Sequence, residues 1–129
     1  MQLYSKTFER QKIILNSEDL AMIEVMISSA LNNGYGELTT AKSNEGEVVA
    51  GTVFLHDLNC AYYAFGATKT EFRNSGASTF LMLHCIENLY KKGFLKIDMV
   101  GVNSPNRGDY KTSFNAELEY YFHINYEKN

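Results

Sequence analysis

One stretch constrains this chain more than any other. An apolar, aromatic run leads through a glycine-containing turn into a long helical pattern, and out again into a second apolar run. The first run is Ala61-Tyr62-Tyr63-Ala64-Phe65-Gly66-Ala67-Thr68, and Arg73-Asn74-Ser75-Gly76-Ala77-Ser78 follows it. The turn opens a helix read from about Asn74 to Lys92, with Phe80, Leu81, His84, Cys85, Asn88 and Leu89 at three- and four-residue spacing and Gly93 as its stop. Leu95 to Val100 then reads as a strand ending near Asn103. A strand–helix–strand unit of this length favours a parallel, right-handed crossover. The strands Cys60–Thr68 and Leu95–Val100 are therefore expected as neighbours in one sheet.

The rest of the chain dresses that unit. Tyr4 to Ile14 carries Tyr4 and Phe8 at helical spacing, although Ile13-Ile14-Leu15 also suits a short strand. Asn16-Ser17, with Asp19 close behind, caps a helix from Ser17 to Asn32. Leu20, Ile23, Ile27, Ala30 and Leu31 mark its inner face, and Asn33-Gly34 ends it. Three strands follow, Gly36–Lys42, Val48–His56 and Cys60–Thr68. Their short connections, one centred on Gly46 and one on Asp57-Leu58-Asn59, imply an antiparallel meander. Asn106–Ser113 reads as a short helix, and Leu118–Tyr126 as a last strand. The fold class is α/β, with a mixed, mostly antiparallel sheet flanked by helices.

Composition excludes several function classes. The 129 residues suit a single domain large enough to bury a core. A net charge of −3 supplies no basic stripe, so a DNA or RNA partner is not expected. The longest apolar runs fall far short of the ~20 residues of a membrane span. Met1 is followed by a mixed polar and apolar stretch without the apolar core of a secretory signal. Cys60 and Cys85 have no metal or redox spacing, and a cytoplasmic, reducing location is the simpler expectation. His56, His84 and His123 include no pair at metal spacing, so no metal is expected.

Residue chemistry offers a few candidates. A helix N-terminus presents unpaired N–H groups and partial positive charge. Gly76 would let a phosphate approach the backbone, and Arg73 could add a charged hydrogen bond. The plainer alternative is that Asn74 or Ser75 caps the helix and Gly76 only permits close packing. Tyr110 lies seven residues after Asn103, inside Tyr110-Lys111-Thr112-Ser113-Phe114-Asn115-Ala116-Glu117. A phenol with pKa near ~10 suits protonation of a thiolate, although an aromatic there can equally serve packing. Lys111 and Arg107 suit an anion, or simply solvent. Asp98 and Glu117 could take a proton from an amine, and Asp98 also suits a hydrogen bond to nearby backbone. Cys85 reads as a small core residue.

These motifs, in this order, resemble the GNAT superfamily of acyltransferases. More closely they resemble the branch that includes the Fem-type peptidyltransferases and related two-lobed proteins of bacterial envelope synthesis. The matching residues are Tyr62 to Ala67, Arg73-Gly76-Ala77, Gly93 with Asp98, and Tyr110-Lys111 with Phe114-Asn115-Ala116-Glu117. Ser78 stands where the phosphate turn usually has Gly or Ala. Phe114-Asn115-Ala116 stands where the branch has Phe-Gly-Gly, and Asn tolerates the left-handed backbone that glycine supplies.

The resemblance implies N-acyl transfer from acetyl-coenzyme A to a small-molecule amine or a cell-envelope precursor. The carrier pyrophosphate would lie on Arg73, Gly76, Ala77 and Ser78, and the backbone of Phe65, Gly66, Ala67 and Thr68 would hold its pantetheine arm. Tyr110 would be the general acid, Asn103 would end the strand beside it, and Lys111 would face the substrate cleft. The rival implication is one lobe of a two-lobed Fem-like architecture, without coenzyme A catalysis, serving aminoacyl transfer or acting as a binding or dimerisation module. Tyr120-Tyr121-Phe122 is a candidate surface for a homodimer.

Overall fold

The computed structural model describes residues 1–4, 6, 16–102 and 105–128, with the helical backbone alone at 105–107. The expectation for Tyr4–Ile14 falls mostly outside these residues; residues 2–4 are helical. Helix α1 spans Ser17–Asn32, strands β1, β2 and β3 span Gly36–Lys42, Val48–His56 and Cys60–Thr68, helix α2 spans Ala77–Lys91, β4 spans Lys96–Asp98 and α3 spans Pro105–Thr112. A single 3-10 turn, Thr70–Phe72, lies between β3 and α2.

The four strands form one sheet in the order β1-β2-β3-β4. The first three make the expected antiparallel meander, and β3 pairs with β4 in parallel. The crossover read from sequence is thus present, with α2 as its connection. Turn chemistry sets the meander. Gly46 takes φ 84° between β1 and β2, a region that costs an L side chain energy but not glycine. Between β2 and β3, Asp57 Oδ1 accepts from the N–H groups of Asn59 and Cys60 at 2.7 and 2.8 Å. The Tyr62 hydroxyl donates to its Oδ2 at 2.9 Å.

β2 is buried on both faces, so the sheet is the middle of three layers. Ala50, Phe54 and Ala61 of the sheet meet Leu81, Met82, Cys85 and Leu89 of α2, with Met99 beyond β4. Tyr110 and Phe114 pack against the same cluster. α1 lies over β1, where Ala30 is buried and a side chain on Gly36 would meet the Ala30 Cβ at 2.8 Å. A reciprocal cap starts α1: Asn16 accepts from the Asp19 N–H, and the Asp19 carboxylate from the Asn16 N–H.

Four expectations are corrected. α2 begins at Ala77 instead of Asn74, because Gly76 takes φ 79° and a residue in the left-handed region cannot sit inside a helix. The inner face of α2 is rotated: Met82 is buried, whereas Phe80 and His84 face outward and stack with ring centres 6.5 Å apart. Leu31 of α1 is exposed, because the stripe that meets the sheet runs through the half-buried Leu20, Ile23 and Ile27 to the buried Ala30, and Leu31 stands off it. The last strand is absent. Residues 118–126 are exposed and pair with no strand among the described residues, because alternation supplies a face for a sheet but not the neighbour that a ladder needs.

Candidate functional site

The N-terminus of α2 carries the first half of the site. Gly76 is the N-cap, without a side chain to take the first-turn N–H groups. Ser75 covers one of them: its Oγ accepts from the Ala77 N–H at 3.2 Å and donates to the Phe72 carbonyl at 2.6 Å. No acidic side chain occupies the first turn, so the positive end of the helix dipole is not neutralised there. Nothing lies within 4 Å of the point where a Gly76 Cβ would stand. The turn is therefore open to an approaching anion, and Arg73 beside it is exposed. Sequence left Asn74 or Ser75 as alternative caps; Ser75 does bond the helix start, and Gly76 itself takes φ 79°, a left-handed value that glycine adopts without cost.

β3 and β4 form the second half. Their pairing among the described residues runs from Cys60↔Lys96 to Tyr62↔Asp98, and β3 continues to Thr68. Two features end β4. The Asp98 carboxylate accepts from the Val100 N–H at 2.7 Å, which curls the chain, so Asp98 bonds backbone. Val100 then adopts φ 60°, a left-handed conformation that costs a β-branched residue roughly 1–2 kcal/mol. Sequence carries no signal for this strain, since the neighbouring Gly101 would be expected to take it. The curl leads the chain away from β3, so Phe65, Gly66, Ala67 and Thr68 stand beyond the paired segment.

A bulge shapes that part of β3. Val53 pairs with Phe65 and Phe54 with Tyr63, leaving Ala64 as an extra residue. Tyr63 and Gly66, three apart, thereby share the face that meets α2. The Tyr63 ring occupies the space over Gly66, with its Cζ 2.8 Å from an ideal Cβ position. On the opposite face, Phe65, Gly66 and Ala67 line a cleft of about 760 Å³ whose other walls include Ile27, Leu38 and Glu24.

α3 closes the α2 side. Tyr110 is half-buried, stands edge-on to Phe114 at 5.1 Å, and packs with Ala77, the first residue of α2, against the same core cluster, near enough to the Ser78 and Thr79 hydroxyls to feel them. Burial raises its pKa above the usual phenol value, against a smaller lowering by the two hydroxyl partners. Lys111 donates to the Gly101 carbonyl at 2.7 Å, and its ammonium stands 5.7 Å from the centre of the Tyr63 ring. It ties α3 to the end of β4 as well as carrying charge. Asn115 takes φ 62° as the left-handed residue after α3. Asn103 and the side chain of Arg107 lie outside the described residues.

The structure thus brings together Tyr110, Ser78, Ala77 and Gly76, with Lys111 and Tyr63 alongside. His84 is at the surface, bonded to Asn88 at 2.9 Å. Cys85 is buried, as expected, and Glu117 is exposed. Among the described residues no group of His, Cys, Asp or Glu could hold a metal ion, and no helix is long and apolar enough to cross a membrane.

Residues 1–112 match the family model of the acetyltransferase (GNAT) domain. No curated protein matches the chain in sequence. Solved structures share its fold at low identity. One is a predicted acetyltransferase with acetyl-CoA from Clostridium acetobutylicum, 16% identical with a TM-score of 0.74 over 96% of this chain and 86% of that one. Another is an aminoglycoside acetyltransferase from an uncultured soil metagenomic sample, in complex with trehalose, 20% identical with a TM-score of 0.68 over 99% and 85%. A third is the ribosomal-protein-alanine N-acetyltransferase of Brucella melitensis biovar Abortus 2308, 14% identical with a TM-score of 0.59 over 78% and 76%. The family match holds for the GNAT domain and does not single out the Fem-type branch. The chain belongs to the GNAT acetyltransferase domain family.

Proposed function

We propose that this domain transfers an acetyl group from acetyl-coenzyme A to the amine of a small molecule. The observation that carries the reading is the open, unneutralised start of α2, with its first residue Ala77 and the Tyr110 ring packed on the same core cluster. A proton donor and an anion-receptive helix start are held side by side.

The residues fit the carrier. The open space over Gly76 and the unneutralised first turn suit a pyrophosphate, with Arg73 free to swing in from the surface. The backbone of Phe65 to Thr68, beyond the β4 pairing, suits the amides of a pantetheine arm. The carrier supplies an acetyl group already activated as a thioester. Tyr110 holds the proton that the departing sulfur takes as the carbon–sulfur bond breaks and the amine nitrogen bonds to the carbonyl carbon. The proton lost by the amine restores the phenol through water. A raised pKa keeps Tyr110 protonated throughout the neutral range, and a positioned acid of this kind contributes ~10²–10⁴-fold. Lys111, braced on Gly101, fixes the end of β4 beside the reacting groups.

The amine enters from the cleft on the α1 side, which reaches the same β3 residues. Its walls carry Lys6 and Lys69 as well as Glu24 and Glu47, so charge selects no acceptor, and Ile27, Leu38 and Val53 suit a neutral amine with an apolar body. The reading takes the chain as one domain and assigns it to the cytoplasm, where its two unpaired cysteines would remain reduced. Thiol release from acetyl-coenzyme A in the presence of a panel of aminoglycosides, polyamines and amino-sugar precursors tests it. Acceptor-dependent release that falls ~10²–10⁴-fold in Tyr110→Phe, with KM little changed, is expected. Release that is independent of acceptor, or unchanged in Tyr110→Phe, would refute the assignment.

A further inference from the structure

Three glycines lie within the strands, and two of them have a reason in the packing. A side chain on Gly36 would strike the Ala30 Cβ, and one on Gly66 would strike the Tyr63 ring. Gly51, in the middle of β2, has neither that reason nor a left-handed φ. Among the described residues, the nearest atom to its ideal Cβ position is the Thr40 Cγ2 at 3.8 Å, an ordinary contact. Glycine weakens the interior of a strand, and where the fold itself does not require it, a close approach from outside the chain is a common reason for it.

The strand register shows what would approach. Leu38, Val53 and Phe65 are cross-strand partners and form one row, and Thr40, Gly51 and Ala67 form the next. All six line the cleft on the α1 side. The first row is a ridge of large apolar side chains, with the Tyr4 ring edge-on to Phe65 at 5.1 Å. The second row is a floor of small ones. Beyond it, Val48 and the Glu47–Lys69 ion pair close the far side. Rows on one face of a sheet lie about 6.8 Å apart and strands about 4.8 Å apart, so the floor is a slot roughly 10 Å long across three strands. It is flat at its centre, where Gly51 leaves the backbone bare.

We propose that this slot selects the acceptor: it takes an amine carried on a short arm by a planar ring, with the ring lying flat on Gly51. The ring gains contact with the bare backbone beneath it, at the ~3.5–4.0 Å of carbon–carbon packing. It meets Phe65 at its edge, the tilted arrangement that aromatic pairs favour. A flexible chain covers a flat floor less fully and loses more freedom in settling on it. Glu47 and Lys69 neutralise each other, so ring shape discriminates where charge does not. β3 is the neighbouring strand, and an arm of two or three atoms carries the nitrogen to Phe65 and Ala67. The inference rests on the acyl-transfer reading for the destination of that nitrogen, whereas the slot and its preference for a ring do not.

Isothermal titration of the full chain with phenethylamine and with hexylamine, each with and without coenzyme A, tests it. Phenethylamine should bind at least tenfold more tightly than hexylamine. Gly51→Val should erase that preference by filling the slot. It should melt no lower than the parent, because a β-branched residue suits a central strand that has room for it. Ring-selective binding that depends on Gly51, in a chain that binds no acetyl-coenzyme A, would sustain the slot and refute the acyl-transfer reading. Acceptor-dependent acetyl transfer with equal affinity for the two amines would do the reverse. Undiminished phenethylamine binding in Gly51→Val would overturn the proposal. So would a Gly51→Val chain that melts several degrees below the parent, since the protein's own side chains would then already fill the slot.

Discussion

The ring of Tyr63 stands over Gly66, three residues ahead of it in β3, because the extra residue Ala64 returns both to one face of the sheet. Gly66 thus has a packing reason to be glycine, besides any contact with a carrier. Tyr63 is held from its other sides by Phe54, with ring centres 5.6 Å apart, and by Lys111. Gly66→Ala should therefore destabilise the domain by about 1–3 kcal/mol, the usual cost of overpacking. Tyr63→Leu in the same chain should recover part of it. Urea denaturation of the two single variants and the double variant measures the coupling, and additive effects would show that the two residues do not compete for space.

Tyr110 should lose its proton only above the ordinary phenol range, since burial raises its pKa. Acting as an acid, it should sustain kcat through neutral pH and fail on an alkaline limb beyond about pH 10. Tyr110→Phe should abolish that limb together with most of the turnover. A pH–rate profile of both enzymes decides, and an alkaline limb that persists in Tyr110→Phe would assign it to another group.

Asp57 should make the domain acid-sensitive. Its pKa is lowered, first by the backbone hydrogen bonds from Asn59 and Cys60 and then by the Tyr62 hydroxyl. A depressed carboxylate contributes stability that is fully present above its unfolded value, near ~3.9, and is lost as pH falls through the folded value. The same bond pushes Tyr62 up to about 12, so its contribution is present below pH ~10 and fades as pH rises toward the folded value. Asp57→Asn should flatten both limbs of a melting-temperature profile. A parent profile with no decline below pH 4 would contradict this.

Val100 should be replaceable with a gain in stability. Its φ of 60° costs a β-branched residue energy that Asn, which tolerates the left-handed region, largely avoids. Val100→Asn should stabilise by about 1 kcal/mol, and Asn115→Val should destabilise by a similar amount at its φ of 62°. Thermal unfolding of each variant supplies the check. If the strained turn positions Gly101 and Lys111 for catalysis, the stabilised variant should also turn over more slowly.

Local signals with one solution were legible in the sequence. The crossover from β3 to β4, the meander turns at Gly46 and Asp57, and the stop at Gly34 each follow from residues whose backbone demands are narrow. Where several faces satisfy the same pattern, sequence misled. Phe80 and His84 share helical spacing with Leu81 and Cys85, and only tertiary packing decides that the stripe through Met82 turns inward. Gly76 was legible as a special residue, but not as the cap that delays α2 to Ala77. Residues 118–126 carry the period of a strand, and period cannot supply the neighbour that makes one. For the site, Tyr110 and the α2 turn were readable as candidates, but the bulge at Ala64 and the strain at Val100 arise from pairing and left no mark on composition or spacing.

The carrier site at the start of α2 is the centre of the account, and isothermal titration of the full chain with acetyl-coenzyme A tests it most directly. Saturable binding with a micromolar Kd is expected for the parent. Gly76→Asn is the informative variant, because Asn tolerates the left-handed φ of 79° yet places a side chain in the open approach to the helix. It should keep its melting temperature within a few degrees and lose binding by at least tenfold. Absence of binding heat in the parent, or undiminished affinity in a folded Gly76→Asn, would contradict the account.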